Sequence, residues 1–258
     1  MTTDKSAQDL IRQQFGAAAD AYATSAVHAQ GASLGRLLAL VQPQADWHVL
    51  DVATGAGHTA LALAPFVADV VGVDLTPQMV SRARALAAER SVTNVTFEVG
   101  EAEKLPVRPA RFDLVTCRVA LHHFVHPDRA VADMARVCKP EGLVAVIDNI
   151  VPADASVARA VNSFEKMRDP SHARALALPE LIGIMRGAGL KISHNETLRK
   201  PIDFYDWLDR MQVAAGMRDY LEAWLLDPQR SVYDFLEPAR VDDRITFMLT
   251  EGIVIGSK

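Results

Sequence analysis

The sequence predicts an α/β fold in which a parallel sheet is covered by helices on both faces. Between residues 47 and 149, short apolar segments bounded by turn residues alternate with segments of helical periodicity. This alternation indicates crossover units, which make neighbouring strands parallel. The length of 258 residues fits one large α/β domain or two small ones. No repeat, low-complexity segment or Pro- and Gly-rich linker is visible.

The composition is typical of a soluble globular protein. Half of the residues are hydrophobic (50%) and 23% are charged, which excludes a disordered chain. A formal net charge of −5 argues against a nucleic-acid binder that uses a broad basic surface. Residues 1–10 lack the apolar core of a signal peptide. The longest apolar stretch, 60–73, is broken by Pro65 and Asp69, so we expect no membrane span.

The cysteine pattern favours a reduced compartment. Cys117 and Cys138 stand in no metal-binding or C-x-x-C spacing, and they offer no disulfide framework. We expect both to be buried thiols that act as small apolar residues. The predicted location is cytoplasmic.

The N-terminal part is predicted to be helical, and regular alternation follows it. Residues 1–45 carry apolar side chains at helical spacing over 34–41, with Gly16 and Gly31 as interruptions and Pro43 as the end. The predicted strands that follow are 47–53, 69–74, 95–99, 112–119 and 142–149, with helices at 58–64, 76–90 and 127–138.

The pattern is looser after residue 150. Helices are predicted at 156–167 and 178–190 and over 203–243, and strands at 191–198 and 244–255. Aromatic residues are dense between residues 204 and 235, so this part could cap an apolar pocket or simply pack against the sheet.

A small-residue loop follows the first predicted strand. In VLDVATGAGH the glycines Gly55 and Gly57 allow positive φ and a close approach of backbone to a ligand. Ligands of open parallel sheets bind at the carboxyl ends of the strands, where this loop lies. With Ala60 the two glycines also satisfy the dinucleotide pattern G-x-G-x-x-A, so the loop alone does not identify the ligand.

Acidic residues near the ends of three successive strands indicate the ligand's charge. Asp51 lies within the first strand's end, Asp74 ends the second strand, and Glu101 follows the third. A carboxylate at Asp74 suits both hydroxyls of a ribose. Asp51 would repel a pyrophosphate, whereas it would attract a sulfonium and an α-amino group.

With these residues the sequence resembles the class I S-adenosylmethionine-dependent methyltransferases. VLDVATGAGHTA, GVDLTPQMV, GEAEKLPV, FDLVTCRVALHHF and ARVCKPEG match family motifs together and in order, over roughly residues 15–200. The segment RDPSHARALALPELIGIMRGAGL and the motifs are similar to the small-molecule branch related to the ubiquinone/menaquinone (UbiE-type) C-methyltransferases. The resemblance implies a Rossmann-like, seven-stranded, mostly parallel sheet whose last strand is antiparallel.

The resemblance also implies which residues bind the cofactor, S-adenosyl-L-methionine. Asp51 and the backbone around Ala53 and Gly55 would hold the methionine moiety, and Asp74 the ribose. The complete set that it implies is Tyr22, Asp51, Ala53, Gly55, Gly57, Asp74, Leu75, Met79, Glu101, Ala102 and Arg118. The sequence departs from the family at Ala53, where glycine is usual, and at Glu101, where aspartate is commoner.

Histidines just beyond the fourth strand are candidates for proton transfer. A carbon or oxygen acceptor must lose a proton during methylation, and a histidine can accept it near neutral pH. We expect His123 to act as this base, with His28 as a second candidate, although His123 could also merely order its loop. A metal site is not expected, since adjacent histidines in an extended segment point apart.

The sequence therefore predicts a methyltransferase with a small-molecule acceptor. Methylation of carbon or oxygen is favoured over nitrogen, with no nucleic acid or membrane span involved, and a homodimer is compatible with the resemblance. Residues 1–45 would be a helical lid, and residues 46–258 the methyltransferase domain, with helical insertions near 151–180 and 203–243. The alternatives are a nicotinamide-dependent (NAD) oxidoreductase on the same fold and a non-catalytic cofactor-binding protein.

Overall fold

A seven-stranded sheet forms the centre of the computed structural model, which describes residues 2–23 and 31–258. The strands are β1 (His48–Val52), β2 (Asp69–Asp74), β3 (Val95–Val99), β4 (Phe112–Arg118), β5 (Cys138–Val151), β6 (Leu176–Ala177), β7 (Lys191–Asp203), β8 (Ala239–Val241) and β9 (Arg244–Ser257). The order across the main sheet is β3-β2-β1-β4-β5-β9-β7, while the short β6 pairs with β5 and the short β8 with β9.

Strand directions confirm the predicted mostly parallel sheet. The strands from β3 across to β5 are parallel neighbours, as crossover helices require. The last strand, β9, runs antiparallel between β5 and β7. The order reverses at β1, which lies between β2 and β4, and this is the position at which open α/β sheets bind ligands.

Helices cover both faces of the sheet because side chains alternate along each buried strand. The helices are α1 (Thr2–Ala23), α2 (Ala32–Val41), α3 (His58–Leu63), α4 (Pro77–Glu89), α5 (Pro127–Val137), α6 (Ala155–Arg168), α7 (Leu178–Gly187), α8 (Phe204–Asp209), α9 (Ala215–Leu225) and α10 (Tyr233–Leu236). Val49 of β1 packs in one core with residues of α2, α3 and α4. Leu50 and Val52 pack in the opposite core with residues of α5 and α7.

A third, aromatic core lies beside the long strands β7 and β9. The ring of Phe164 stacks between Trp207, at 5.0 Å, and Trp224, at 4.6 Å between ring centroids. Phe247 of β9 contacts the same cluster edge-on. The dense aromatics of the C-terminal part therefore form the interior of this cap, which joins α6, α8 and α9 to the sheet.

Two local expectations are wrong. Helix α1 continues through Gly16, where a Cβ would lie 3.3 Å from the Gln78 side chain on α4, so glycine allows the two helices to pack closely. Residues 203–243 are not entirely helical, since Ala239–Val241 forms β8 and pairs with Thr246, Ile245 and Arg244 of β9. The hydrogen bonds of a short hairpin outweigh local helical periodicity there.

The expectation for the cysteines is met. Cys117 and Cys138 are buried free thiols. Within residues 2–23 and 31–258, no helix has the length and apolar character needed to cross a membrane.

Candidate functional site

A cleft lies at the carboxyl ends of β1, β2 and β4 and beneath α1, and we call it the main cleft. The volume of the main cleft that is open to the centre of a water molecule is about 140 Å³. It is lined by Gln8, Ile11, Phe15, Tyr22, Ala53, Thr54, Gly55, Ala56, His58, Thr59, Asp74, Leu75, Thr76, Met79, Gly100, Glu101, Ala102, Glu103, Arg118, Val119, Ala120, His123, Phe124 and Val125. Of the site residues that the sequence implies and the structure describes, all but Asp51 and Gly57 are part of this lining.

Asp74 fixes the loop that follows β1. One carboxylate oxygen accepts the backbone N–H of Gly55 at 2.8 Å, and the other accepts that of Thr76 at 2.8 Å. Burial raises the pKa of Asp74 above its usual value, although these hydrogen bonds act in the opposite direction. Each oxygen can accept a further hydrogen bond, so this carboxylate can receive two hydroxyls from a ligand in the cleft.

The glycine loop presents backbone to the cleft. Gly55 has φ +55°, and a side chain at this position would meet open space, so the backbone is the surface that a ligand contacts. Ala53 also has a positive φ of 53°. Gly57 differs from Gly55, because a Cβ there would lie 2.8 Å from the Phe97 ring. The absence of a side chain at Gly57 therefore allows the start of α3 to pack against the Phe97 ring, and Gly57 itself lies behind the cleft surface.

Asp51 lies beneath the cleft. Its side chain is 1% exposed, and its two oxygens accept hydrogen bonds from the hydroxyls of Thr54, at 2.6 Å, and Thr116, at 2.7 Å. Burial raises its pKa to about 6, against the effect of these hydroxyls and of the Arg118 charge. This differs from the expectation that all three acids face the same cleft. Direct contact between Asp51 and a ligand stays a prediction.

The wall opposite the glycine loop has an apolar inner part and a polar rim. Met79 is 2% exposed and lies with Leu75 in the lining. Glu101 is exposed at the rim, where its backbone bridges to Lys104, and Ala102 follows it. A flat apolar group with a polar edge fits these surroundings.

Helix α1 closes the cleft from above. The Phe15 ring contacts the Tyr22 ring edge-on, at 5.4 Å between centroids. The Nε2–H of His58 donates to the Tyr22 carbonyl oxygen at 3.0 Å, which ties the end of α1 to the start of α3. Arg118 donates from Nε to the Thr59 hydroxyl at 3.0 Å. Aromatic rings over the opening restrict the access of water to the cleft.

His123 is one of the residues that line the main cleft. Its Nδ1 lies 3.2 Å from the Ser171 carbonyl oxygen and 3.3 Å from the Ser171 hydroxyl oxygen, whose own hydrogen is donated to Asp169. Because the carbonyl oxygen can only accept, we assign the hydrogen to Nδ1 and a lone pair to Nε2. Burial, together with the neighbouring His122, lowers the pKa of His123 to about 4. The imidazole is therefore neutral at pH 7. The second candidate, His28, lies outside the described residues.

His122 forms a buried pair with Asp148. Its Nδ1 is 2.6 Å from one Asp148 oxygen, and its backbone N–H donates to the other at 2.7 Å. Burial alone would lower the pKa of His122, but the charge and hydrogen bond of Asp148 outweigh it and raise the pKa. His122 thus favours the charged form, 4.2 Å between ring centroids from neutral His123.

A second cavity, which we call the polar chamber, adjoins the main cleft. The two cavities share four lining residues: Phe15, Tyr22, Val119 and His123. The volume of the chamber that is open to the centre of a water molecule is about 60 Å³. Its other lining residues are His122, Asn149, Glu165, Arg168, Asp169, His172, Lys200, Ile202, Trp207, Arg210 and Leu249.

Sequence reasoning missed the polar chamber. Its charged residues come from α6, β7 and the segment after α8, which are far apart along the chain. Glu165, Arg168 and Asp169 occur at helical spacing, a pattern that normally indicates a solvated helix face. Within the described residues, no group of three His, Cys, Asp or Glu is placed to hold a metal ion.

Part of the chain matches a known protein family. Residues 50–146 match the family described as "Methyltransferase domain". This stretch contains the glycine loop, Asp74, Glu101 and His123.

Relatives match over most of the chain. The chain is 35% identical over 236 residues to a Bacillus subtilis protein named uncharacterized methyltransferase YcgJ, which covers 92% of this chain and 89% of that protein. The crystal structure of YcgJ has a TM-score of 0.83 at 34% identity and covers 88% of this chain and 97% of that chain. A crystal structure from Bacillus halodurans C-125, of the protein BH2331, has a TM-score of 0.84 at 33% identity and covers 88% and 99%.

A shorter part of the chain is similar to a demethylmenaquinone methyltransferase. It is 40% identical over 108 residues to the demethylmenaquinone methyltransferase of Deinococcus radiodurans. This match covers 41% of this chain and 44% of that protein.

Proposed function

This chain belongs to the class I S-adenosylmethionine-dependent methyltransferases, and from that premise we propose that it methylates a small molecule bound beside the main cleft. The observation that carries the proposal is the Asp74 carboxylate, which holds the Gly55 loop at the point where strand order reverses. The oxidoreductase alternative is not retained, because a relative that matches 92% of this chain is named a methyltransferase.

The residues of the main cleft fit this cofactor. Asp74 can accept both ribose hydroxyls, and the open space before Gly55 lets the methionine part approach the backbone. Leu75 and Met79 would pack against the adenine. The residues that we assign to cofactor binding are Tyr22, Asp51, Ala53, Gly55, Gly57, Asp74, Leu75, Met79, Glu101, Ala102 and Arg118. Asp51 would act through its negative charge, and Gly57 by allowing the conformation of the glycine loop.

The surrounding residues support transfer by positioning in a dry site. When bound, S-adenosylmethionine supplies a methyl group on a positively charged sulfur. Asp51, buried under the loop, contributes a negative charge below this position. Phe15 and Tyr22 on α1 exclude water from above. Together these residues favour a charged donor that is shielded from solvent.

His123 would take the acceptor's proton. The acceptor atom would form a bond to the methyl carbon as the bond from that carbon to its leaving group breaks, and Nε2 of His123 would receive the proton that the acceptor releases. A neutral amine attacks without prior loss of a proton, whereas a carbon or oxygen acid needs a base. The free lone pair of His123 therefore supports carbon or oxygen methylation.

The other parts of the proposal concern organisation and branch. We assign α1 as part of a lid over residues 46–258, and the helices near 151–180 and 203–243 as the acceptor side, because they line or support the polar chamber. The 108-residue match to a demethylmenaquinone methyltransferase supports a relation to the UbiE-type branch. Two free buried thiols support a cytoplasmic location. A homodimer stays a prediction.

The test of the proposal combines binding and transfer. Calorimetric titration should give binding of S-adenosylhomocysteine and no binding of NAD. With S-adenosylmethionine labelled in the methyl group, the label should appear in small phenols, enols or hydroxy acids offered as acceptors. Tight NAD binding without S-adenosylhomocysteine binding would refute the proposal, and cofactor binding with no transfer to any acceptor would favour a non-catalytic role.

A further inference from the structure

The polar chamber contains two buried oxygen atoms that lack hydrogen-bond donors. Glu165 is 7% exposed, and its Oε1 has no partner among the described residues. The other oxygen lies 3.6 Å from Nη1 of Arg168, which is a long ion pair. Oδ1 of Asn149 is also buried and has no hydrogen-bond partner among the described residues. Buried acceptors of this kind are costly unless a donor reaches them, so both atoms point to a ligand with a hydrogen-bond donor.

The chamber also contains a half-buried guanidinium, that of Arg210, for which the described residues provide no hydrogen bond or ion pair. Burial and the nearby charge of Arg168 lower its pKa, against the opposite effect of Tyr22, Asp206 and Glu165. Arg168 is fixed, because its Nε donates to the Trp207 carbonyl at 3.1 Å and its guanidinium lies 4.7 Å from the Trp207 ring centroid. An anion placed at Arg210 would supply the hydrogen-bond acceptors that its guanidinium lacks.

The remaining charges of the chamber already have partners. Lys200 pairs with Glu251 at 2.8 Å, and His122 pairs with Asp148. Asp169 accepts hydrogen bonds from the backbone and hydroxyl of Ser171 at 2.9 and 2.6 Å. Among the described residues, Arg210 therefore lacks a hydrogen-bond acceptor, and the oxygens of Glu165 and Asn149 lack a donor.

We propose that the polar chamber binds the methyl acceptor, and that the acceptor is a small carboxylic acid that also carries a hydroxyl or amino group. Its carboxylate would pair with Arg210, and its hydrogen-bond donor would meet Oε1 of Glu165 and Oδ1 of Asn149. This assignment rests on the proposed methyltransferase function. The chamber joins the main cleft at Val119 and His123, so an acid held there lies next to the site of transfer.

The dimensions and polarity of the chamber support a small, polar acceptor. The volume open to the centre of a water molecule is about 60 Å³, less than half that of the main cleft. A quinone with a long apolar tail would leave Arg210 and Glu165 desolvated and unpaired. The chamber therefore discriminates against the apolar acceptors of quinone-modifying relatives by leaving polar groups without partners.

The test measures acceptor binding to protein saturated with S-adenosylhomocysteine. The probes are 2-hydroxybenzoate, 4-hydroxybenzoate, glycerate and serine, each beside its methyl ester, with menadiol as the apolar quinol. At least one acid should bind about tenfold more tightly than its ester, because the ester loses the charge that pairs with Arg210. Arg210→Gln should abolish this preference, and Glu165→Gln should weaken binding of the acid about tenfold.

Controls separate this inference from the proposed function. Both variants should bind S-adenosylhomocysteine within twofold of the unsubstituted protein, and Arg186→Gln, at an exposed arginine on α7, should change neither affinity. If S-adenosylhomocysteine binds but the acids bind no better than their esters, or menadiol binds best, the acceptor class is wrong while the methyltransferase proposal stands. If S-adenosylhomocysteine does not bind, both proposals fail.

Discussion

The carboxylate of Asp74 accepts the backbone N–H of Gly55 at 2.8 Å, so the end of β2 holds the loop that follows β1. The same carboxylate lines the main cleft. One side chain thus shapes the glycine loop and presents the acceptor atoms for a ribose, which makes it the most informative position for substitution.

Replacing Asp74 should weaken cofactor binding strongly. Asp74→Ala removes a charged acceptor of two ligand hydroxyls, and we expect S-adenosylhomocysteine affinity to fall at least about 100-fold. Isothermal titration calorimetry measures this, with Asp46→Ala at an exposed aspartate as the matched control. An unchanged dissociation constant in a folded Asp74→Ala protein would count against the ribose assignment.

Cofactor affinity should depend on pH through Asp51. The free protein holds Asp51 at a pKa of about 6, raised by burial, so the carboxyl is largely protonated at pH 5 and ionised at pH 7. A cation in the cleft favours the ionised form, so binding at low pH must release a proton. S-adenosylmethionine carries this cation on its sulfur, so we expect S-adenosylmethionine to bind about tenfold more weakly at pH 5 than at pH 7.

The variant Asp51→Asn should flatten this pH profile. It removes the ionisation while keeping hydrogen-bonding capacity toward Thr54 and Thr116. A profile as steep in the variant as in the unsubstituted protein would assign the pH dependence to another group.

The His122–Asp148 pair should stabilise the fold at low rather than high pH. The folded-state pKa of His122 is raised, so its contribution is complete below its ordinary value of 6.5 and is lost as the pH rises through the raised value. Urea unfolding of the unsubstituted protein and of His122→Gln should therefore give a difference in unfolding free energy that shrinks between pH 6 and pH 9. Asp148→Asn should reduce the same pH dependence, and parallel curves for all three proteins would contradict it.

Gly57 should be intolerant of a side chain. A Cβ would lie 2.8 Å from the Phe97 ring at a φ of +87°, so Gly57→Ala should lower the unfolding free energy by about 2–4 kcal/mol. The control is Gly183→Ala on α7, where no atom lies within 4 Å, and it should raise stability by up to about 1 kcal/mol. Equal effects at the two glycines would show that the contact with Phe97 is unimportant.

His123 should affect turnover more than cofactor binding. His123→Gln keeps a polar side chain and removes the proton-accepting lone pair, so kcat should fall about 100-fold. The S-adenosylhomocysteine dissociation constant should stay within about threefold. Full activity in the variant would leave His123 as a residue that only orders its loop through Ser171.

The sheet and most of the cleft could be predicted because their signals are local. Short apolar segments gave the strands, and the positions of Gly55 and Asp74 at strand ends brought both to one edge. The burial of Asp51 could not be predicted in this way. It depends on the hydroxyl of Thr116, which the pairing of β1 with β4 places opposite it.

The parts that sequence reasoning missed depend on contacts between distant segments. Gly57 is behind the cleft surface because of Phe97, 40 positions further along the chain. The polar chamber combines Asn149, Glu165 and Arg210 from three segments whose relative placement is set by the aromatic core. No periodicity in the sequence links these three residues.

The most direct test of the central claim is a crystal structure of the protein with S-adenosylhomocysteine. The account predicts the ligand in the main cleft, with its ribose hydroxyls within hydrogen-bond distance of the Asp74 carboxylate and its methionine part along Gly55. Two results would contradict the account. The ligand could bind elsewhere, or the main cleft could stay empty in crystals grown with a saturating concentration of the ligand.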